Sequence, residues 1–514
     1  MDHKDGNITG LYIAEEVTPG VLPGTPIWHE REPNSYSDFG GNFSMTTRQP
    51  IVHDRQHAKG EVSDNNPAGG WNEDLTPSNM TQLMQGFLLA DAREKPSTAP
   101  LNGTAVDITG ADAVLDQYTA AAGLGVFLVG HLVLAAGFTA ADNNGVNRVT
   151  AVAAGALTMA SPLVAEVAPP ADARLMAVGF QFGAGVLTLT VTDENVYLDT
   201  GAIDATTLGL TPGEYIFVGG DDAAMQFAAS GNNAPFYGRV SAVTVDGITL
   251  DKTTGVQVTN AGAAKTIQIF FGTVIRNEDD CTLIKTRTYH QERQYGCGVD
   301  AEADYITKAA PNQLTISVPT PGENAKVTVD LTFIGGTSFE RTAAEGVLAG
   351  TRIPALNEPC FKPGLDVYQH KMAVVDETTL NPTALVSYNS ELSLVINNNA
   401  AGQKAIETFG NFSTSYGAFN VTGSVGSFWP SVAATRAVRQ GADVTWHLIL
   451  TKARQAVVFD MASVGLGNGR ASVSANEPVK LPLDTSAGKG KFGYTLATTF
   501  LHHVPNAGMA QPTT

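Results

Sequence analysis

Hydrophobic and polar positions alternate with period two over much of this chain. Val327, Val329, Leu331 and Phe333 fall on one side of an extended segment and Thr328, Asp330 and Thr332 on the other, the pattern of a half-buried β-strand. Further strands are expected near Phe43–Val52, Gly60–Ser63, Thr266–Val274, Leu283–Gln291, Gln313–Val318, Glu391–Asn397, Ala418–Ser424, Asp443–Thr451, Ala471–Ser474 and Tyr494–Phe500. Helical periodicity is confined to short stretches. Met80, Leu83, Met84, Phe87 and Leu88 recur at i, i+3, i+4, i+7 and i+8, and Thr76 with Pro77 supplies a cap and a first helical position.

One layout occurs twice: a glycine-punctuated strand, an aromatic at a turn, a proline, then a helix. The first copy spans Lys59–Ala92, with Gly69-Gly70-Trp71 as the turn. The second spans Ala418–Gln440, with Phe428-Trp429-Pro430 and a helix from Ser431. Such duplication points to a building block before a catalyst. Trp71 and Trp429 are expected as core plugs under the two helices.

Between about 101 and 275 the sequence shifts to Ala, Gly, Val and Thr with few charges, and a second repeat appears. Arg148–Val152 through Leu157–Met159 aligns without gaps on Arg239–Val243 through Ile248–Leu250, and each is preceded by an apolar strand, Gly130–Leu134 or Gly213–Val218. Asn144-Gly145 and Asp246-Gly247 are expected as primed hairpin turns. The fold class is therefore mainly β: a duplicated sandwich or barrel domain with flanking helices, plus two small barrel-like modules in tandem. The expected division is 1–100 and 276–350 for the first domain, 101–275 for the inserted modules and 351–514 for the second domain.

Composition narrows the function. Hydrophobic residues make up 43% and charged residues 16% of the chain, with 53 Gly, as expected of folded β-structure with tight turns. The formal charge of -19, from 50 acidic and 31 basic residues, opposes tight nucleic-acid binding. Cys281, Cys297 and Cys360 are too few for a disulfide framework and are expected as free thiols. The start of the chain lacks a signal-peptide apolar core, and no apolar run reaches the roughly 20 residues of a membrane span, so a soluble, non-exported protein is expected.

Candidate chemistry is sparse. His53 and His57 stand at i, i+4 beside Asp54, but strand signals around them favour a polar cluster over a metal site. His502 and His503 are adjacent on a strand and so face opposite ways. Gly335-Gly336 and Gly465-Leu466-Gly467-Asn468-Gly469 lack the residues of a phosphate loop, and the acidic pairs Glu15-Glu16 and Asp279-Asp280 lack opposed geometry. No catalytic, cofactor-binding or metal-ligating residue is assigned. The turn-rich arm from Thr18 to Gly41 instead offers Trp28, Tyr36, Asp38 and Phe39 as contacts to a neighbouring subunit or ring.

The chain resembles the major tail tube proteins of long-tailed, non-contractile bacteriophages. The resemblance rests on Thr18-Pro19-Gly20, Pro33–Gly41, Gly69–Leu75, Tyr289–Glu292, Thr332–Gly336, Ser393–Asn398, Val421–Ser424, Val464–Arg470 and Gly493–Leu496, in that order and over most of the chain outside 101–275. It implies a structural virion protein of the phage tail, made in the host cytoplasm, that polymerises as stacked rings around a channel for DNA and the tape-measure protein, and that also meets tail-tip and tail-terminator proteins. Two tube domains per chain imply trimeric, pseudo-sixfold rings, with hexameric rings as the alternative. An acidic or neutral lining would let DNA pass without specific binding, although the same charge would serve solubility on the outside. A β-rich, carbohydrate-binding adhesin, with the inserted modules as its binding part, is the rival function.

Overall fold

A computed structural model describes residues 4–510 apart from 52, 54–55, 193, 228–233, 297, 376–379, 381, 387 and 430. The fold is mainly β, with two short α-helices. The first half contains β1 (Thr9–Glu15), β2 (Pro33–Gly40), β3 (Ala68–Asp74), α1 (Thr81–Leu88), β4 (Tyr289–Tyr295), β5 (Glu302–Val318) and β6 (Thr328–Ile334). The second contains β7 (Val367–Val374), β8 (Asn389–Asn397), β9 (Asn420–Phe428), α2 (Val432–Gln440), β10 (Val444–Lys452), β11 (Gln455–Asn468) and β12 (Lys480–Gly488).

These strands pair in the same order twice. The first unit runs β1-β4-β5-β6-β3-β2. The second runs β7-β10-β11-β12-β9-β8. Two of the bulges coincide. The β2/β3 ladder shifts between Pro33 and Ser35 and the β8/β9 ladder between Asn389 and Glu391. The β4/β5 ladder shifts between Tyr289 and Gln291 and the β10/β11 ladder between Val444 and Trp446. A bulge places an extra residue at a fixed point of a ladder, so coincident bulges fix which residues correspond.

The units share one core. Trp71, Phe87, Leu314 and Phe333 belong to the same buried cluster as Leu394, Val421, Trp446, Phe459 and Leu483. Trp71 lies inside β3, stacked on Phe333 at 5.1 Å, and not in a turn. Gly70 beside it must lack a side chain, because a Cβ there would sit 2.6 Å from the Ser37 carbonyl oxygen. By register Trp71 corresponds to Val425, which faces Leu483 as Trp71 faces Leu331. Trp429 follows the strand end, half-buried, so the two tryptophans are not equivalent.

The first helix begins at Thr81, later than the Thr76-Pro77 signal suggests. The polar groups of the preceding turn are used elsewhere. Glu358 accepts hydrogen bonds from Thr76 Oγ1, Ser78 N and Ser78 Oγ at 3.0, 3.1 and 2.8 Å, and Asn79 donates to the Asp74 carbonyl at 2.9 Å. The expected face is nonetheless buried: Met80, Leu83, Met84, Phe87 and Leu88 all lie in the core. The second helix starts as expected, with the Ser431 hydroxyl accepting from Ala433 N.

The insertion enters after α1 and returns at β4, the position of the short Gly441–Asp443 connection in the second unit. Its internal repeat is visible in the ladders. Val149, Ala151 and Val152 pair with Met159, Thr158 and Leu157, and Val240, Ala242 and Val243 pair with Leu250, Thr249 and Ile248, each with the same skipped residue. Thr150 and Ser241, the skipped residues, both donate to the opposite carbonyl, of Thr158 and Thr249. The two halves are not independent modules. Arg174–Gln181 pairs with Gln268–Phe270, joining them into one sheet network over one core. Two turn expectations also change. Residues 137–144 connect one hairpin, with Asn144-Gly145 at its end, and Asp246-Gly247 lies in a hairpin turn whose residues have ordinary negative φ.

The insertion is anchored on the second unit. Tyr215, Phe217, Tyr237 and Phe270 pack with Ile449, Val458, Leu501 and Val504. Beside them Arg239 is almost wholly buried between Asp251, at 2.8 Å, and Asp460, at 3.2 Å. Burial alone would raise both carboxyls. The bidentate Arg239 contact and Lys491 hold Asp251 below the usual range, whereas Asp460 remains raised. Tyr494 and Tyr215 donate to Asp460 at 2.7 and 3.2 Å.

Candidate assembly surface

Pairing of β5 with β8, Gln313 opposite Asn397 through Val318 opposite Leu392, joins the units into one sheet, β2-β3-β6-β5-β8-β9-β12. Alternation gives this sheet two chemically distinct faces. One buries Trp71, Val329, Leu331, Leu314, Ile316, Leu394, Ile396, Val421, Val425, Leu481 and Leu483. The other carries Ser35, Asn72, Asp330, Thr315, Val395, Thr422 and Ser486 in one row across neighbouring strands. A second row runs Asp74, Thr328, Ser317, Ser393, Ser424 and Asp484.

The rows are held by hydrogen bonds between their own side chains. Asn72 Nδ2 donates to Asp330 Oδ1 at 2.8 Å, Asn34 Nδ2 to Asp74 Oδ1 at 2.8 Å, and the Ser393 and Ser424 hydroxyls meet at 2.9 Å. The acids on this face are Asp74, Asp330, Glu391 and Asp484; Lys326 pairs with Asp74 at 2.6 Å. Lys480 on β12 alternates onto the same face, and hydroxyls and amides separate these charges, giving a hydrated surface.

In each unit a hairpin extends from the strand pair at one edge. Between β2 and β3, Phe43–Thr46 pairs with Glu61–Asn65; between β8 and β9, Ala401–Gln403 pairs with Ser413–Ser415. The extensions expose Met45, Ile51 and Val62 in the first unit and Ile406, Phe409 and Phe412 in the second. They touch each other through a Phe43–Phe409 stack at 6.3 Å and a Lys404–Asp64 ion pair.

The residues singled out as contacts fall in two places. Trp28 lies wholly buried on Ile27–Arg31, its indole donating to the Ala349 carbonyl at 3.2 Å and its ring edge-on to Tyr305. Tyr36, Asp38 and Phe39 lie on β2. Tyr36 and Phe39 are half-buried and edge-to-face at 5.8 Å, and the Arg293 guanidinium sits over both rings at 5.3 and 4.6 Å. Asp38 is exposed with φ +49°, a left-handed conformation that interrupts the strand.

Other candidate chemistry resolves into structural roles. His53 and His57 are exposed, while Asp54 and Arg55 lie outside the described residues. His502 contacts Thr273 Oγ1 at 2.9 Å, and the His503 ring lies against Phe270; burial lowers both imidazoles to about 4. Among the described residues no group of His, Cys, Asp and Glu could hold a metal ion. A cleft lined by Pro212, Ser241, Arg276, Asp279, Lys491 and Phe492 has its charges paired: Arg276 with Glu278, Lys491 with Asp251 and Asp279 with Lys489.

Of the second unit's strands, sequence reasoning missed β11 and β12, the latter part of the polar face. Glycines at 465, 467 and 469 signal a turn, yet the first two continue the strand; Leu481, Leu483 and Thr485, alternately buried, were the available signal for β12. The expected Ala471–Ser474 strand is reduced to a single bridge between Ser472 and Lys480.

No helix among the described residues is long and apolar enough to cross a membrane. No curated protein matches the chain. A family model described as phage tail tube protein matches residues 6–487, covering both units and the insertion. By this match over most of its length, the chain belongs to the phage tail tube protein family, structural proteins of the virion tail that self-assemble into a tube.

Proposed function

We propose that this chain builds the tail tube of a long-tailed phage with a non-contractile tail, as rings of three copies with two tube units each. Residues 1–100 with 276–350 form one unit, 351–514 the other, and 101–275 an outer insertion. Six single-copy positions per ring is the competing arrangement. The observation that carries the proposal is the continuous sheet through both units, apolar toward the core and polar on its opposite face.

In this reading the polar face lines the channel. Duplex DNA carries one phosphate charge per about 1.7 Å of axis, so a basic lining would retain it through counterion release. A face of Ser, Thr, Asn and Asp offers water-like contacts and mild repulsion, which favour passage of DNA and accommodation of the tape-measure protein. Tail-tip and tail-terminator proteins would meet the two ends of the stack. The exposed hairpin extensions are suited to contacts between rings, because their apolar residues have solvent on at least one side.

The adhesin reading lacks a comparable support. Every aromatic residue described in the insertion is buried except the half-buried Tyr197, which leaves no aromatic platform for a sugar.

Electron microscopy of concentrated purified protein, with tail-tip components added as nuclei, tests the proposal. Hollow tubes whose end-on averages show three or pseudo-six lobes are expected. Persistent discrete particles would overturn it, and six full-size subunits per ring would replace the trimeric arrangement.

A further inference from the structure

We propose that the free edge of β2 in one copy pairs with the open flank of Gly465–Ser472 in a second copy, repeating between chains the join that β5 and β8 make within one. The inference rests on the self-assembly reading above and adds the strands and register of the contact.

Inside the chain, β8 completes the first unit by lying antiparallel along Gln313–Val318, where β4 no longer covers β5. The coincident bulges identify the same two elements in the other positions. Tyr36 and Ser37 pair with Trp71 and Gly70, as Leu392 and Ser393 pair with Val425 and Ser424. Thus β2 is the counterpart of β8. Likewise β10 ends its cover of β11 at Val464, as β4 ends its cover of β5 at Ala309.

Both counterparts lack a partner on that side. Among the described residues β2 pairs with β3 alone, and Gly465–Asn468 pairs with β12 alone. Beyond Asn468 the segment keeps contact with the β12 hairpin through Gly469 N to Pro482 O, at 3.1 Å, and the Ser472–Lys480 bridge. It is therefore held in place with one flank open.

The neighbouring helices differ in the same sense. Asn398, just after β8, donates to the Phe87 carbonyl at 3.1 Å and the Pro311 carbonyl at 3.2 Å, closing over the end of α1. Around α2, Val432 is 60% exposed, and Val473, beyond the open flank, is 76% exposed. The occupant is a second copy because the complementary element is already in the chain: β2 has the register and bulge of the strand that fills the equivalent flank. Open edges ordinarily invite uncontrolled pairing. Asp38 and Gly40 at positive φ on one edge, with Asn468 and Gly469 at positive φ on the other, keep both irregular.

The register follows from observed pairs. Ser393 lies opposite Ser317, which lies opposite Thr328. Thr328 corresponds to Lys480, because Leu331 and Leu483 occupy matching places, and Lys480 bridges Ser472. Ser37 of one copy therefore faces Ser472 of the next, both exposed in the single chain.

The test uses full-length protein carrying Ser37→Cys and Ser472→Cys, assembled into tubes, mildly oxidised and run on a non-reducing gel. A ladder of chain multiples ending in a closed covalent ring is expected, with neither single variant giving more than a dimer. Ser317→Cys with Ser393→Cys, the join inside the chain, serves as the geometric control and adds no ladder. Hydrogen exchange on unsubstituted protein gives an independent readout: amides of β2 and of 465–472 are expected to slow by about tenfold or more in tubes relative to free chain. Tubes that form without the ladder and without added protection would overturn the join while leaving self-assembly intact. If no tube forms under any condition, the self-assembly reading fails and the join fails with it.

Discussion

The two units share a strand order and two bulges, yet the first is closed where the second is open. The helix of the first unit buries Leu83, Met84, Phe87 and Leu88; that of the second buries only Ala434 and Ala437 and ends in exposed polar residues. The outer flank of β5 is filled by β8, whereas no strand among the described residues pairs with the corresponding flank of β11. The comparison teaches that topology is set by ladder register and by which positions alternate inward, while the apolar content of each copy follows what that copy must touch.

The largest way to stress this comparison is at the anchor of the insertion on the second unit. Arg239→Ala leaves Asp460 buried without its cation, and such losses cost about 3–5 kcal/mol. Lys326→Ala in the first unit, removing a half-exposed partner of Asp74, is expected to cost under about 1 kcal/mol. Denaturant unfolding of both variants checks the contrast, and equal losses would show that the buried network does not hold the insertion.

A smaller effect is expected from acid. Burial lowers His131, His370 and His502 to about 4 and His447 to about 3, in the insertion, in the second unit and just beyond the strand Ala497–Leu501, whereas in the first unit His29 alone is lowered by burial among the described residues. These imidazoles stay neutral in the folded chain but bind protons in the unfolded chain below its ordinary pKa of about 6.5. Stability therefore falls as pH drops from about 6.5 toward 4 and is flat above, by up to roughly 1.4 kcal/mol per unit for each group. Hydrogen exchange at pH 7 and pH 5 should show protection lost first in the second unit and the insertion. Uniform loss across both units would contradict this asymmetry.

The smallest difference lies at the helix starts. Ser431→Ala removes the side-chain cap of α2 and should cost about 1 kcal/mol, read as a shift in unfolding midpoint. Met80→Ser at the cap position of α1, where no side-chain cap exists, should not recover a comparable gain, because Met80 is buried.

Much of the fold was legible because alternation survives in single strands: Val327–Phe333 read correctly as a half-buried strand and Glu391–Asn397 as a strand. The duplication was also legible, through the strand-helix layout, although its aromatic markers misled. Trp71 and Trp429 are not counterparts; the true counterpart of Trp71 is Val425, which carries no visible signature. The assembly surface was harder to read. Tyr36, Asp38 and Phe39 stood out through aromatic content in a turn-rich arm, but the flank proposed to oppose them, Gly465–Ser472, is rich in glycines and small polar residues. Its role depends on what lies beside it in the fold, which no local pattern encodes. The single core of the insertion escaped for the same reason, since the joining pair, Arg174–Gln181 with Gln268–Phe270, is distant in sequence.

Because β5 and β8 lie on one polypeptide, half of the edge-to-edge joins in the proposed ring would arrive already made and in register. Bringing two separate bodies together costs roughly 4–15 kcal/mol in lost translation and rotation, and a covalent linkage removes that cost for every second join. The tether also forbids the slip by one residue that would turn the polar face inward. Errors of register could then enter only where two chains meet, and the two irregular edges there would become the control point for when growth starts.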